Sequence, residues 1–76
     1  MSTYQLDARR LLCPMPVIRT QNRVKELNAG DELCVRASDP GALHDIPAWC
    51  RIHGHEVLSA VTSDEGEVVI TLRVVM

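Results

Sequence analysis

The run Cys13-Pro14-Met15-Pro16 fixes where the first helix of this chain begins. Proline is favoured at the first helical position, where its missing N–H costs nothing, so Pro14 sets the helix start directly after Cys13. Cys13 then occupies the N-cap. A thiol there feels the positive end of the helix macrodipole, which lowers its pKa and raises the thiolate fraction, the nucleophilic form of cysteine. Because Pro14 and Pro16 donate no hydrogen bond, only Met15 and Val17 offer backbone donors in the first turn. Such a turn is stiff and presents the sulfur outward. The same spacing is equally compatible with a buried cysteine beneath a proline-started helix, since free cysteine is often a core residue.

The rest of the chain falls into alternating periods. Tyr4-Gln5-Leu6 reads as a short strand ending near Asp7, followed by a loop to Leu12. From Pro14 to Asn28, Val17, Thr20, Val24 and Leu27 recur at helical spacing, and Asn28-Ala29-Gly30 ends that helix. Leu33-Cys34-Val35-Arg36-Ala37 alternates with period two, placing Leu33, Val35 and Ala37 on one face and Cys34 and Arg36 on the other. Ser38-Asp39-Pro40-Gly41 is a turn with capping side chains. Beyond it Leu43, Ile46, Trp49, Cys50 and His53 share a helical face, with Gly54 as the residue past the helix end. Pro47 marks either a kink or the true start of this helix. Glu56 to Thr62 and Glu67 to Val75 are β-rich and flank the hairpin loop Ser63-Asp64-Glu65-Gly66. Two helices in the order β-α-β-α-β-β cover only one face of a four-stranded sheet. The expected fold is therefore α/β, a two-layer sandwich with mixed strand directions.

Size and charge narrow the function. A chain of 76 residues makes one domain, residues 1–76, and buries only about 60–65% of its unfolded surface, leaving little room for an enclosed pocket of the usual ~300–1,000 Å³. Surface chemistry and protein docking fit better than turnover of a sizeable small molecule. The net charge of −2 gives no basic face for a nucleic acid. The opening residues lack the charged-then-apolar order of a secretory signal, and no segment reaches the ~20 apolar residues of a membrane span. A cytoplasmic, monomeric protein with reduced thiols is expected.

Rival sites are weaker. Cys13, Cys34 and Cys50 lie on three separate elements, without the local ligand pairs of a zinc site, so neither metal nor cofactor is expected. His44, His53 and His55 could each in principle partner Cys13 as a base, but all cap or flank the second helix, and nothing marks an oxyanion hole. Cys50 belongs to the core. Cys34 is a bystander unless the open face of the sheet binds something.

Taken together, Leu6-Asp7-Ala8-Arg9-Arg10-Leu11-Leu12-Cys13-Pro14-Met15-Pro16-Val17, the turn Asn28-Ala29-Gly30-Asp31, Asp39-Pro40, Asp45-Ile46-Pro47 and Gly54-His55 closely resemble the TusA (SirA-like) sulfur-carrier family over nearly the whole chain. The resemblance implies a fold like the C-terminal domain of bacterial translation initiation factor three. It also implies that Cys13 accepts sulfane sulfur from a cysteine desulfurase or rhodanese-like donor, holds it as a persulfide, and passes it to a downstream acceptor protein. Routes fed by the family include 2-thiolation of tRNA, sulfur oxidation and molybdenum cofactor metabolism. Such transfer is sulfurtransferase-type carriage rather than stand-alone turnover, and needs no dedicated base. Arg9 and Arg10 would stabilise the anionic sulfur or steer acidic partners, or else are ordinary solvated arginines, and Met15 would give an apolar contact beside it. Pro14 and Pro16 complete the motif. The family usually carries glycine where this chain has Arg10. The alternative is a non-covalent regulatory or adaptor domain using the same surface.

Overall fold

The computed structural model describes residues 2–75. Six elements follow in the expected order: β1 (Thr3–Ala8), α1 (Met15–Val24), β2 (Glu32–Ala37), α2 (Ala42–Ile52), β3 (Glu56–Thr62) and β4 (Val68–Arg73). The four strands form one mixed sheet in the order β1-β2-β4-β3. β1 and β2, joined through α1, run parallel, whereas the short hairpin makes β3 and β4 antiparallel, and β4 also pairs antiparallel with β2. A register shift between Val57 and Ser59 bulges β3.

The period-two alternation of β2 and β4 decides which face is covered. Leu33, Val35 and Ala37 stand opposite Leu72, Ile70 and Val68, and all six are fully buried. Onto this face α2 packs Ile46 and Cys50, and α1 packs Thr20 and Val24, making a two-layer α/β sandwich with an aliphatic core. Thr20 is tolerated there because its hydroxyl donates to the Pro16 carbonyl at 2.8 Å. The opposite face is uncovered and polar. Across it Gln5, Cys34 and Thr71 align in register, and Arg36–Glu67, Arg73–Glu56 and Arg73–Glu32 form ion pairs.

Several boundaries differ from the sequence pattern. β1 extends over Thr3–Ala8 rather than ending near Asp7, and β4 stops at Arg73. α1 ends at Val24, not Asn28: the next N–H groups of Glu26 and Leu27 bond three residues back, to Arg23 and Val24, so the helix winds down into tight turns. Leu27 still packs on the core from this turn, which kept the apolar periodicity running past the helix. Pro47 is interior to α2, which begins at Ala42, and is itself buried. His53 caps that helix, and Gly54 follows with φ +81°, the left-handed conformation that ends many helices.

Candidate functional site

The loop between β1 and α1 is shaped by its neighbours in space. Asp7 closes it at the strand end: its carboxylate accepts from Arg9 N–H at 3.0 Å and from the Arg9 guanidinium at 2.9 and 3.0 Å. These bonds hold the Asp7 carboxyl well below the usual carboxylate range. Arg10 adopts φ +66°, and its N–H donates to Ser38 Oγ at 2.8 Å. Three residues later the Cys13 N–H donates to Asp39 Oδ2 at 3.0 Å. Two adjacent side chains of the β2–α2 turn therefore hold the backbone of the cysteine loop at two points.

The helix starts one residue later than Pro14's preference implied. Leu12 C=O accepts from Met15 N–H at 2.8 Å, closing a turn across Cys13, and Pro14 C=O accepts the Ile18 N–H at 3.2 Å. Pro14 is thus the N-cap, and the second proline, Pro16, takes the second helical position, where its missing N–H has no intrahelical partner to lose, and is buried. Cys13 lies upstream of the N-cap. Its backbone N–H is committed to Asp39 and the Met15 N–H to Leu12, so neither serves the sulfur.

Cys13 is exposed, which answers the choice between a core and a surface thiol. Its electrostatics are the reverse of the acidic thiol expected from a helix N-cap. Partial desolvation and the nearby carboxylates of Asp45 and Asp39 push the Cys13 pKa up. The helix begins beyond the residue, so Cys13 is not the N-cap on which its dipole acts most strongly. Arg9 does not offset the two carboxylates, since its guanidinium is engaged by Asp7. Arg10 lines a polar cleft of about 230 Å³ with Asp7 and Arg9. Close to Cys13 in sequence, Leu12, Met15 and Ile18 remain 76%, 36% and 39% exposed, three of the seven exposed large hydrophobic residues among those described.

The other candidates lie elsewhere. Cys50 is buried and its thiol is pushed up to about 11 by desolvation, as fits a core residue, while Cys34 is half-buried on the open face of the sheet. His44 is exposed on α2. His53 and His55 stack on Trp49, with ring centroids 4.8 and 5.4 Å away, at the C-terminal end of α2. A helix rise of about 1.5 Å per residue puts that end roughly 18 Å from Gly41 and the cysteine loop. There, with Val24, Leu27 and Val74, these rings line an open groove of about 340 Å³. Among the described residues, no group of three or more histidine, cysteine or acidic side chains is placed to hold a metal ion, and no helix is long and apolar enough to cross a membrane.

Asp39 and Asp45 are the site residues that sequence reasoning missed. Asp39 reads as a helix cap, and it does accept the Gly41 N–H at 3.1 Å, but its other oxygen crosses 26 positions to Cys13. No local pattern reports such a contact.

Comparison with known proteins gives the site its context. The family model described as sulfurtransferase TusA matches residues 4–74. Two relatives from Bacillus subtilis (strain 168) are named as candidate sulfur carrier proteins. YrkF is 45% identical over 67 residues, 88% of this chain, and YrkI is 44% identical over 63 residues, 83% of this chain and 81% of its own length. The chain spans only 35% of YrkF. A third candidate sulfur carrier, NMA0882 of Neisseria meningitidis, is 39% identical over 84% of this chain and 86% of its own. The crystal structure of a SirA-like protein from Desulfitobacterium hafniense superposes with a TM-score of 0.84, covering 96% of this chain and 99% of that one at 23% identity, and so shares the fold.

Proposed function

Since this chain belongs to the TusA sulfurtransferase family, whose general role is sulfur carriage, we propose that Cys13 accepts sulfane sulfur as a persulfide and relays it to a cysteine of an acceptor protein. The donor is a cysteine desulfurase or a rhodanese-like protein. The observation that carries this reading is the exposure of Cys13 in a loop held in place by Ser38 and Asp39, with the exposed apolar side chains of Leu12 and Met15 close to it in the chain. In the accepting step Cys13 thiolate attacks the outer sulfur of a donor persulfide, R–S–SH. The new S–S bond forms on Cys13 Sγ, the donor's S–S bond breaks, and its electron pair leaves as the donor thiolate R–S⁻. The products are Cys13–S–SH and R–S⁻, with no net oxidation. Delivery is the same exchange with an acceptor cysteine as nucleophile, in a route such as tRNA 2-thiouridine synthesis, sulfur oxidation or molybdenum cofactor metabolism.

Incubation with a desulfurase and cysteine should add the mass of one sulfur atom to Cys13, and the Cys13→Ser variant should gain none. Labelling that persists in Cys13→Ser would move the reactive site to another thiol. A Cys13→Ser variant that keeps both partner binding and the cellular phenotype would favour the adaptor role instead. The recipient route is identified by which sulfur-containing product a strain lacking the protein fails to make.

A further inference from the structure

The Cys13 loop is bound to the start of α2 by carboxylates rather than by cations. Asp39 spans the two, with Oδ2 on the Cys13 N–H at 3.0 Å and Oδ1 on the Gly41 N–H at 3.1 Å. Asp45 comes to the same spot from the first turn of α2: a Cβ placed on Gly41 would lie 3.5 Å from Asp45 Oδ2 and 3.6 and 3.8 Å from the two oxygens of Asp39. The carboxylates of Asp39 and Asp45 therefore converge over Gly41, beside Cys13.

The geometry points to a restrained thiol: Asp39 is a positioning residue that fixes the Cys13 backbone, and its carboxylate together with that of Asp45 sets negative charge over the loop, so that the unloaded carrier is a slow nucleophile towards small electrophiles and oxidants. This deepens the role proposed for Cys13 and rests on it. The charged and titratable groups around the thiol are few. From the turn before α2 comes Asp39, and from α2 itself come Asp45 and the exposed His44. On the cysteine's own loop Arg9 is neutralised by Asp7, and Arg10 lines the cleft with that pair. The first turn of α1, Met15 to Ile18, carries no charge. Negative charge thus predominates, and both carboxylates favour the S–H form, in the direction in which the Cys13 thiol is displaced. Since the thiolate is the form that is oxidised and alkylated, a carrier waiting between donors is spared both.

Alkylation by iodoacetamide, followed across pH with Cys13 modification read by mass spectrometry, tests this without any sulfur donor. A failure here is therefore distinct from a failure of the persulfide role. Asp45→Asn should move the alkylation midpoint to lower pH and speed modification at neutral pH by about threefold to tenfold, one pKa unit being tenfold in thiolate. Asp39→Asn keeps one acceptor, for the Cys13 N–H, while giving up the charge and the bond from the Gly41 N–H, and should shift the midpoint the same way by less. Asp39→Ala should in addition slow persulfide acceptance, because the loop is released, and Asp39→Asn should restore that rate. Raised salt on the unmodified protein should screen the carboxylates and lower the midpoint too, which decides the matter even if a variant fails to fold. A midpoint that stays put or rises in Asp45→Asn, or in high salt, overturns the inference.

Discussion

At the scale of single residues, Arg10 is under strain. An L-residue at φ +66° costs roughly 1–2 kcal/mol relative to the right-handed region, and glycine adopts that conformation without a Cβ penalty. A glycine at this position would meet a backbone requirement, and this chain meets it with arginine. Arg10→Gly should raise stability by about 1 kcal/mol, partly offset by the greater freedom of glycine in the unfolded chain, as read by urea denaturation. A loss of stability would mean that the Arg10 side chain holds the loop more firmly than its Ser38 hydrogen bond does. The site was legible at this scale only where its chemistry is local. The Cys-Pro-x-Pro run picks out Cys13, yet nothing in the run tells that the thiol is exposed, that the helix starts beyond it, or that Asp39 and Asp45 stand near it.

Elements were far more legible, because period two and period 3.6 are written in consecutive residues. β2 and β3 were readable to within a residue, and the helix faces of Thr20, Val24, Ile46 and Cys50 pack as their spacing implies. Ends were harder, since Leu27 keeps packing after α1 has stopped and the hydrogen bonds that stop it leave no compositional trace. The junction after α2 carries a pH dependence. His55 is buried and its Nδ1 accepts the Val75 N–H at 3.0 Å, an arrangement that needs a neutral ring at that nitrogen. Desolvation, with a smaller contribution from His53, lowers its pKa below the ordinary 6.5. The folded state then binds fewer protons than the unfolded one, so this stabilisation is present above 6.5 and is lost as pH falls towards the depressed value. Melting temperature should accordingly decline from about pH 7 to about pH 5, and the decline should be shallower in His55→Asn. Equal slopes in the two proteins would remove His55 as the cause.

Seen whole, the molecule depends on few side chains. A domain of 76 residues has a net stability of about 4–11 kcal/mol at the usual ~0.05–0.15 kcal/mol per residue. Leu72 is fully buried in β4, opposite Leu33 on β2 and Val57 on β3. Leu72→Ala should cost about 2–5 kcal/mol, a large share of that total, measurable as a lower denaturant midpoint with unchanged slope. A cost under about 1 kcal/mol would show that the layers close over the cavity. The strand order β1-β2-β4-β3 has one more consequence, which belongs to how the molecule is made. β4 follows the sheet's three other strands in the chain but lies inside the sheet, and β2 meets β3 only through it. A nascent chain that has released Cys13, both helices and even β3 from the ribosome still lacks the strand that zips its two halves together. The turn of Ser38 and Asp39 that shapes the cysteine loop follows β2, whose pairing on one side waits for β4. Emergence of β4, rather than emergence of the cysteine, is therefore what turns this polypeptide into a finished site.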